Sequence, residues 1–194
     1  MPFTLDVTAL LEPIAEVTVT FTNILHGHPA DIDALLVGPG GQNVMLISDV
    51  GELLSEVDSM IDQVTLTFHD GAASLPANVR ITSGTYAPTN YQGIVEEIAE
   101  MDQNSPQPPP LGPYGTTLSV FNGLNPNGTW KLFVQDDLED ESGEMQSWSL
   151  TVTTVPEPIS ALFLLIGAGA LCLRAPRITG VGPDSPAKSE ALSR

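Results

Sequence analysis

Apolar and polar residues alternate with a period of two over Val17 to Phe21, Val64 to Phe68, Trp130 to Val134 and Trp148 to Val152. Successive side chains on a strand point to opposite faces, so this pattern predicts four half-buried strands. Ile32 to Val37 and Val44 to Ile47 are nearly unbroken apolar runs, which suits strands buried on both faces. Between these segments stand Gly38-Pro39-Gly40-Gly41, Asp70-Gly71, Asn122-Gly123 and Asn127-Gly128, all turn formers. Many short strands joined by glycine-rich turns predict an all-β fold, a jelly-roll-like antiparallel β-sandwich.

Two stretches depart from the period of two. Over Glu52 to Gln63 the apolar residues Leu53, Leu54, Val57, Met60 and Ile61 recur at helical spacing, which predicts a short inserted helix. Ser105 to Pro113 is proline-rich and biased toward polyproline II, a rigid connection.

Ile159 to Leu173 is a third kind of segment, 15 residues without a charge, with Glu157 before it and Arg174 and Arg177 after it. A globular helix of this length would carry a polar stripe, and this one has none. As a separate C-terminal apolar helix it would reach about 22 Å at ~1.5 Å per residue, against a hydrocarbon core of ~30 Å. Snorkelling arginines or local thinning of the bilayer close that gap. The basic flank predicts a cytoplasmic C-terminus, with the preceding domain outside.

Charge divides the chain in the same place. Up to Val155 there are 21 acidic residues against Arg80 and Lys131, a net charge of −19; the remainder carries +1. Hydrophobic residues make up 42% of the whole and charged ones 15%, so the acid sits on a folded surface and not on a disordered chain. Such a surface repels phosphate backbones, which excludes nucleic acid as a partner and favours cations. Cys172 is the single cysteine, so no disulfide forms within the chain.

Candidate chemistry is confined to carboxylates and histidines. Asp31 and Asp33 stand at a strand entrance, and Asp136, Asp137, Asp140, Glu141 and Glu144 cluster in the last hairpin. Carboxylate oxygens at turns suit calcium, which takes 6 to 8 oxygen ligands; solvated turn charges are the alternative. His26 and His28, with Asp31, offer a second metal reading, since both histidines would share one face of a strand. No serine stands in a recognisable nucleophile setting beside His26, His28 or His69.

Pro156-Glu157-Pro158, the apolar run and the basic pair Arg174 and Arg177 together resemble the PEP-CTERM sorting signal of Gram-negative bacteria. In that family the segment is recognised by an exosortase, a membrane transpeptidase-like enzyme. Two prolines keep Glu157 extended and accessible at a membrane surface. A tail of 17 residues, 178–194, continues beyond Arg177. Met1 to Leu11 lacks a basic n-region and Asp6 interrupts its apolar stretch, so an export signal is expected upstream of the given start.

Asp31 to Gly41 and Leu46 to Gly51 look like the front half of the P domain (P/Homo B) that accompanies kexin- and furin-like proprotein convertases. Thr85 to Thr89, Pro113-Tyr114-Gly115, Phe121-Asn122-Gly123, Asn127 to Asp136, Gly143 and Trp148-Ser149-Leu150 resemble the second half. The resemblance implies a β-sandwich that supports a neighbouring catalytic domain and does no chemistry itself, with the family's first strand absent or truncated here.

The expected organisation is a P-domain-like sandwich over 5–154, a sorting and anchor segment over 155–177 and a tail over 178–194. The expected function is that of a non-enzymatic, exported module, first membrane-anchored and then at the cell surface or in the extracellular matrix. Its expected partners are the membrane through 159–173, an exosortase, and extracellular polysaccharide, protein or further copies of itself. An accessory domain beside an exported serine-type protease is the alternative, and a metal-dependent hydrolase built on His26, His28 and Asp31 ranks third.

Overall fold

A computed structural model describes residues 1–51, 55–91, 101, 103–104, 106–136 and 143–155. All fall within one compact unit, Met1–Pro156. In chain order the strands are β1 (Phe3–Val7), β2 (Ile14–His26), β3 (Ile32–Val37), β4 (Asn43–Ser48), β5 (Ile61–Phe68), β6 (Gly84–Tyr86), β7 (Thr89–Asn90), β8 (Gly128–Asp136) and β9 (Glu144–Thr154), with one helical turn, α1 (Glu56–Ser59), before β5. They form two sheets, ordered β1-β8-β3-β4-β7 and β6-β5-β2-β9.

The two sheets share one core. From the first come Ile32, Ala34, Leu36, Val44, Leu46, Trp130 and Leu132; from the second come Val17, Val19, Phe21, Val64, Leu66 and Phe68. These are alternate positions of their strands, as a sandwich requires. Two edge-to-face ring pairs lie in this layer, Phe21 with Phe68 at 5.1 Å and Phe121 with Trp130 at 4.9 Å. Most ladders are antiparallel, but β7 joins β4, and β6 joins β5, in parallel. The sheets are therefore mixed, a correction to the wholly antiparallel expectation. Both exceptions are very short edge strands of 3 and 2 residues.

The nearly continuous apolar runs of β3 and β4 have a physical cause on the other side of their sheet. Leu35, Val37, Met45 and Phe133 point away from the main core and are covered by Met101 and Tyr114. The Met45 N–H donates to the Gly115 carbonyl at 2.9 Å, and the Tyr114 hydroxyl donates to the Pro110 carbonyl at 2.6 Å. The proline-rich connection thus leads into a second apolar layer, with no helix or strand over 106–117.

Of the helix expected over Glu52 to Gln63, the described residues contain the single turn of α1, and Ile61 to Gln63 belong to β5. Leu53 and Leu54 lie outside the described residues. Gln63 has φ +54°, and the β2–β5 register shifts between Phe21 and Ile24. The resulting irregularity buries both Ile61 and Val64, three positions apart, a spacing that imitates a helix.

β1 lies at the edge of its sheet, with Leu5 opposite Trp130. This strand is not among those expected from the sequence. Asn127 ties the same N-terminal segment down: its Oδ1 accepts from the Leu10 N–H at 3.0 Å, and its Nδ2 donates to the Leu10 carbonyl at 2.6 Å. Gly128 follows with φ +129°, and a Cβ there would stand 2.7 Å from Pro39 Cβ. Gly128→Ala combines a forbidden backbone angle with a steric overlap, so it should destabilise the fold by about 1 to 3 kcal/mol. Denaturant unfolding of the two proteins checks this.

Candidate functional site

β2 ends at His26, and the chain turns through His28 into a 3-10 turn, Pro29–Asp31, before β3 begins. β3 runs antiparallel to β8, with Ile32 opposite Asp136 and Asp33 opposite Gln135. This register brings the two carboxylate groups of the sequence, Asp31 and Asp33 at the strand entrance and Asp136 at the hairpin, to one end of the sandwich. The two locations considered for calcium are therefore neighbours. Asp137, Asp140 and Glu141 lie outside the described residues, and Glu144 is the exposed first residue of β9.

Asp31 and Asp33 are both buried, at 6% and 2% exposure. A buried carboxylate is costly unless it accepts hydrogen bonds. His28 supplies one to Asp31, Nδ1 to Oδ1 at 3.0 Å. His26 is 3% exposed and engages at both ring nitrogens. Its Nδ1 lies 3.1 Å from the backbone N of His28, which can only donate. Nδ1 must then offer its lone pair, and a neutral ring carries its proton on Nε2. Nε2 stands 3.3 Å from Asp136 Oδ2 and donates to it.

That tautomer decides what the cluster can do. A metal or a substrate proton needs a free imidazole lone pair, and the arrangement leaves His26 none. The expectation that His26 and His28 share a strand face is also corrected. β2 stops at His26, and the two rings engage different carboxylates, Asp136 and Asp31. Among the described residues no group of three His, Cys, Asp or Glu side chains is placed to hold a metal ion. His69 is half-exposed elsewhere on the sandwich and pairs with Glu16 at 2.6 Å.

Beside the carboxylates opens a cleft of about 270 Å³ lined mainly by apolar side chains, among them Phe21, Ile24, Ile32, Ile47 and Ile61, with His26 and Asp136 on its wall. It was not legible in the sequence, because its lining comes from seven strands of the two sheets.

Pro156, Glu157 and Pro158, the apolar run 159–173, Arg174, Arg177 and the tail 178–194 lie outside the described residues. Among the described residues no helix is long and apolar enough to cross a membrane.

Residues 113–152 match the family model of the proprotein convertase P-domain. The match takes in Tyr114, the 3-10 turn Leu118–Phe121, β8 and most of β9, and with them Trp130 and its neighbour Phe121. It spans less than half of the chain. No curated protein matches the sequence.

Proposed function

We propose that this chain is a non-catalytic, exported module: a P-domain-like sandwich for interaction, followed over 155–177 by a sorting signal that an exosortase reads. The observation that carries the non-catalytic part is the state of His26, whose two nitrogens are spent within the fold on the His28 amide and the Asp136 carboxylate. The similarity over 113–152 supports the same reading, because it falls on the strands and turn that build the core. The net charge of −19 up to Val155 favours cation-rich or uncharged surroundings, such as extracellular polysaccharide, over nucleic acid.

The P-domain similarity also favours a second reading, an accessory domain beside an exported serine-type protease. Both readings leave this chain without a nucleophile. The purified protein should therefore take up no label from an organophosphonate that modifies activated serines. A serine labelled at one stoichiometric equivalent would overturn both readings.

A further inference from the structure

β2 runs from Ile14 at one end of the sandwich to His26 at the other, and at the Ile14 end a second cleft opens, of about 300 Å³. One wall is the turn from β3 into β4, with Pro39, Gly40 and Gln42; the other is the connection into β8, with Leu124, Asn125 and Asn127. The core side chains Ile14, Phe121 and Trp130 form its floor. Both walls carry hydrogen bonds of their own. Across the turn the Gly38 N–H donates to the Gln42 carbonyl at 2.8 Å, and the Gly41 N–H to the Gly38 carbonyl at 3.0 Å. On the other wall Asn125 Oδ1 accepts from the Asn127 N–H at 2.9 Å and from Asn127 Nδ2 at 2.8 Å. The cleft therefore has its shape before any ligand arrives, which lowers the ordering cost of binding.

The polar side chains of the lining are all carboxamides, and no charged residue is among them. Asn127 is fully engaged: Nδ2 donates to the Leu10 carbonyl and to Asn125 Oδ1, and Oδ1 accepts from the Leu10 N–H. Two groups are left for a ligand. Asn125 turns its oxygen toward Asn127, so its Nδ2 has no partner among the described residues, and neither has the Gln42 carboxamide. The latter lies over Gly40, where a Cβ would stand 2.5 Å from Gln42 Oε1. Only a glycine leaves it that place.

We infer that this cleft binds one residue of a neutral carbohydrate, whose hydroxyls bond to Gln42 and to Asn125 Nδ2 while its C–H face packs on Pro39 and Leu124. The chemistry of the lining selects that class. With 21 acidic residues up to Val155, a cleft without a carboxylate is not built for a cation, and without lysine or arginine it is not built for an anion. A wholly apolar ligand would strip water from the carboxamides and return no hydrogen bond. A hydroxyl both donates and accepts, as a carboxamide does, so the two match. The volume stands at the low end of the ~300–1,000 Å³ usual for ligand pockets, which suits a single ring. A peptide would need a sheet edge or a longer groove. The inference rests on the reading of this chain as an interaction module and names the ligand of that module.

The test is calorimetric titration of the full chain, in a polyoxyethylene detergent that holds the 159–173 run and carries no sugar, with neutral tetrasaccharides of glucose, galactose and mannose. Tetragalacturonate and the peptide Gly-Ser-Gly-Ser serve as the anionic and peptide comparisons. The expected result is saturable binding of a neutral tetrasaccharide, with a dissociation constant on the order of 1 mM, and no binding of either comparison. In a Trp148→Phe background Trp130 is the only tryptophan, and its emission should shift on binding because it forms the floor. Gln42→Ala and Asn125→Ala should each raise the dissociation constant about fivefold to tenfold, the loss of one hydrogen bond. Ser147→Ala, exposed near the His26 end of β9, should leave it unaltered. Binding that ignores both carboxamide substitutions would overturn this site and leave a carbohydrate-binding module standing. Binding of the peptide that weakens in both variants would make the cleft a peptide site and overturn the ligand class. No saturable binding of any of the three sugars would overturn the inference together with the polysaccharide part of the proposed function. Calorimetry on the unsubstituted chain decides that last outcome even if a variant folds poorly.

Discussion

Trp130→Ala should lower the stability of the sandwich by about 3 to 5 kcal/mol, the cost of emptying a fully buried aromatic site. Trp130 is 0% exposed, contacts Phe121 edge-to-face and donates from Nε1 to the Pro126 carbonyl at 3.0 Å. The substitution removes the ring, leaves a cavity between the sheets and strands a buried carbonyl. These losses fall on β8, the strand that pairs with both β1 and β3. At roughly 2 to 4 °C per kcal/mol for a domain of this size, the melting temperature should fall by on the order of 10 °C. Trp130→Phe keeps most of the packing and loses only the indole hydrogen bond, so it should cost much less. A thermal melt of the three proteins reads the difference. Equal losses for Ala and Phe would show that the hydrogen bond, and not the ring volume, holds this site.

The largest change of behaviour is expected from removing residues 159–173. That run has 15 residues without a charge, and in water it would add an exposed apolar patch to an acidic surface. The bilayer removes the cost. With a working export signal supplied, the full chain should fractionate with membranes in a host that has no sorting enzyme. The deleted chain should be released as soluble protein. Recovery of both proteins in the soluble fraction without detergent would mean that the run is packed elsewhere, and the anchor reading would fail.

Where a feature depends on local pattern, the sequence was a good guide. Val17 to Phe21 and Trp148 to Val152 lie inside β2 and β9, on neighbouring strands in register, Val17 opposite Val152 and Phe21 opposite Trp148. The double burial of Ile32 to Val37 was legible as an apolar run broken only by Asp33. The identity of its cover, Met101 and Tyr114, was not, because it comes from segments more than sixty residues away in the chain. The far end of the helix expected over Glu52 to Gln63 belongs instead to β5, and the left-handed Gln63 breaks the alternation that would have marked Ile61 to Gln63 as strand.

The candidate site shows the same division. Asp31, Asp33 and Asp136 could be picked out as carboxylates at turns, yet only the β3–β8 register shows that they share one end of the sandwich. The tautomer of His26 depends on a backbone N–H two residues on and a carboxylate 110 residues away, and no sequence pattern encodes that pair.

The most direct test of the proposed function is the intact mass of the exported protein made with and without an exosortase. The account predicts full-length, membrane-bound protein in the absence of the enzyme. In its presence it predicts a shorter product that ends near Pro156-Glu157-Pro158 and lacks Arg174, Arg177 and the tail to Arg194. Replacing the tripeptide by Ala-Ala-Ala should restore the full-length mass. An unchanged mass with active enzyme present, confirmed on another of its substrates, would contradict the sorting signal and leave the sandwich without the export role proposed for it.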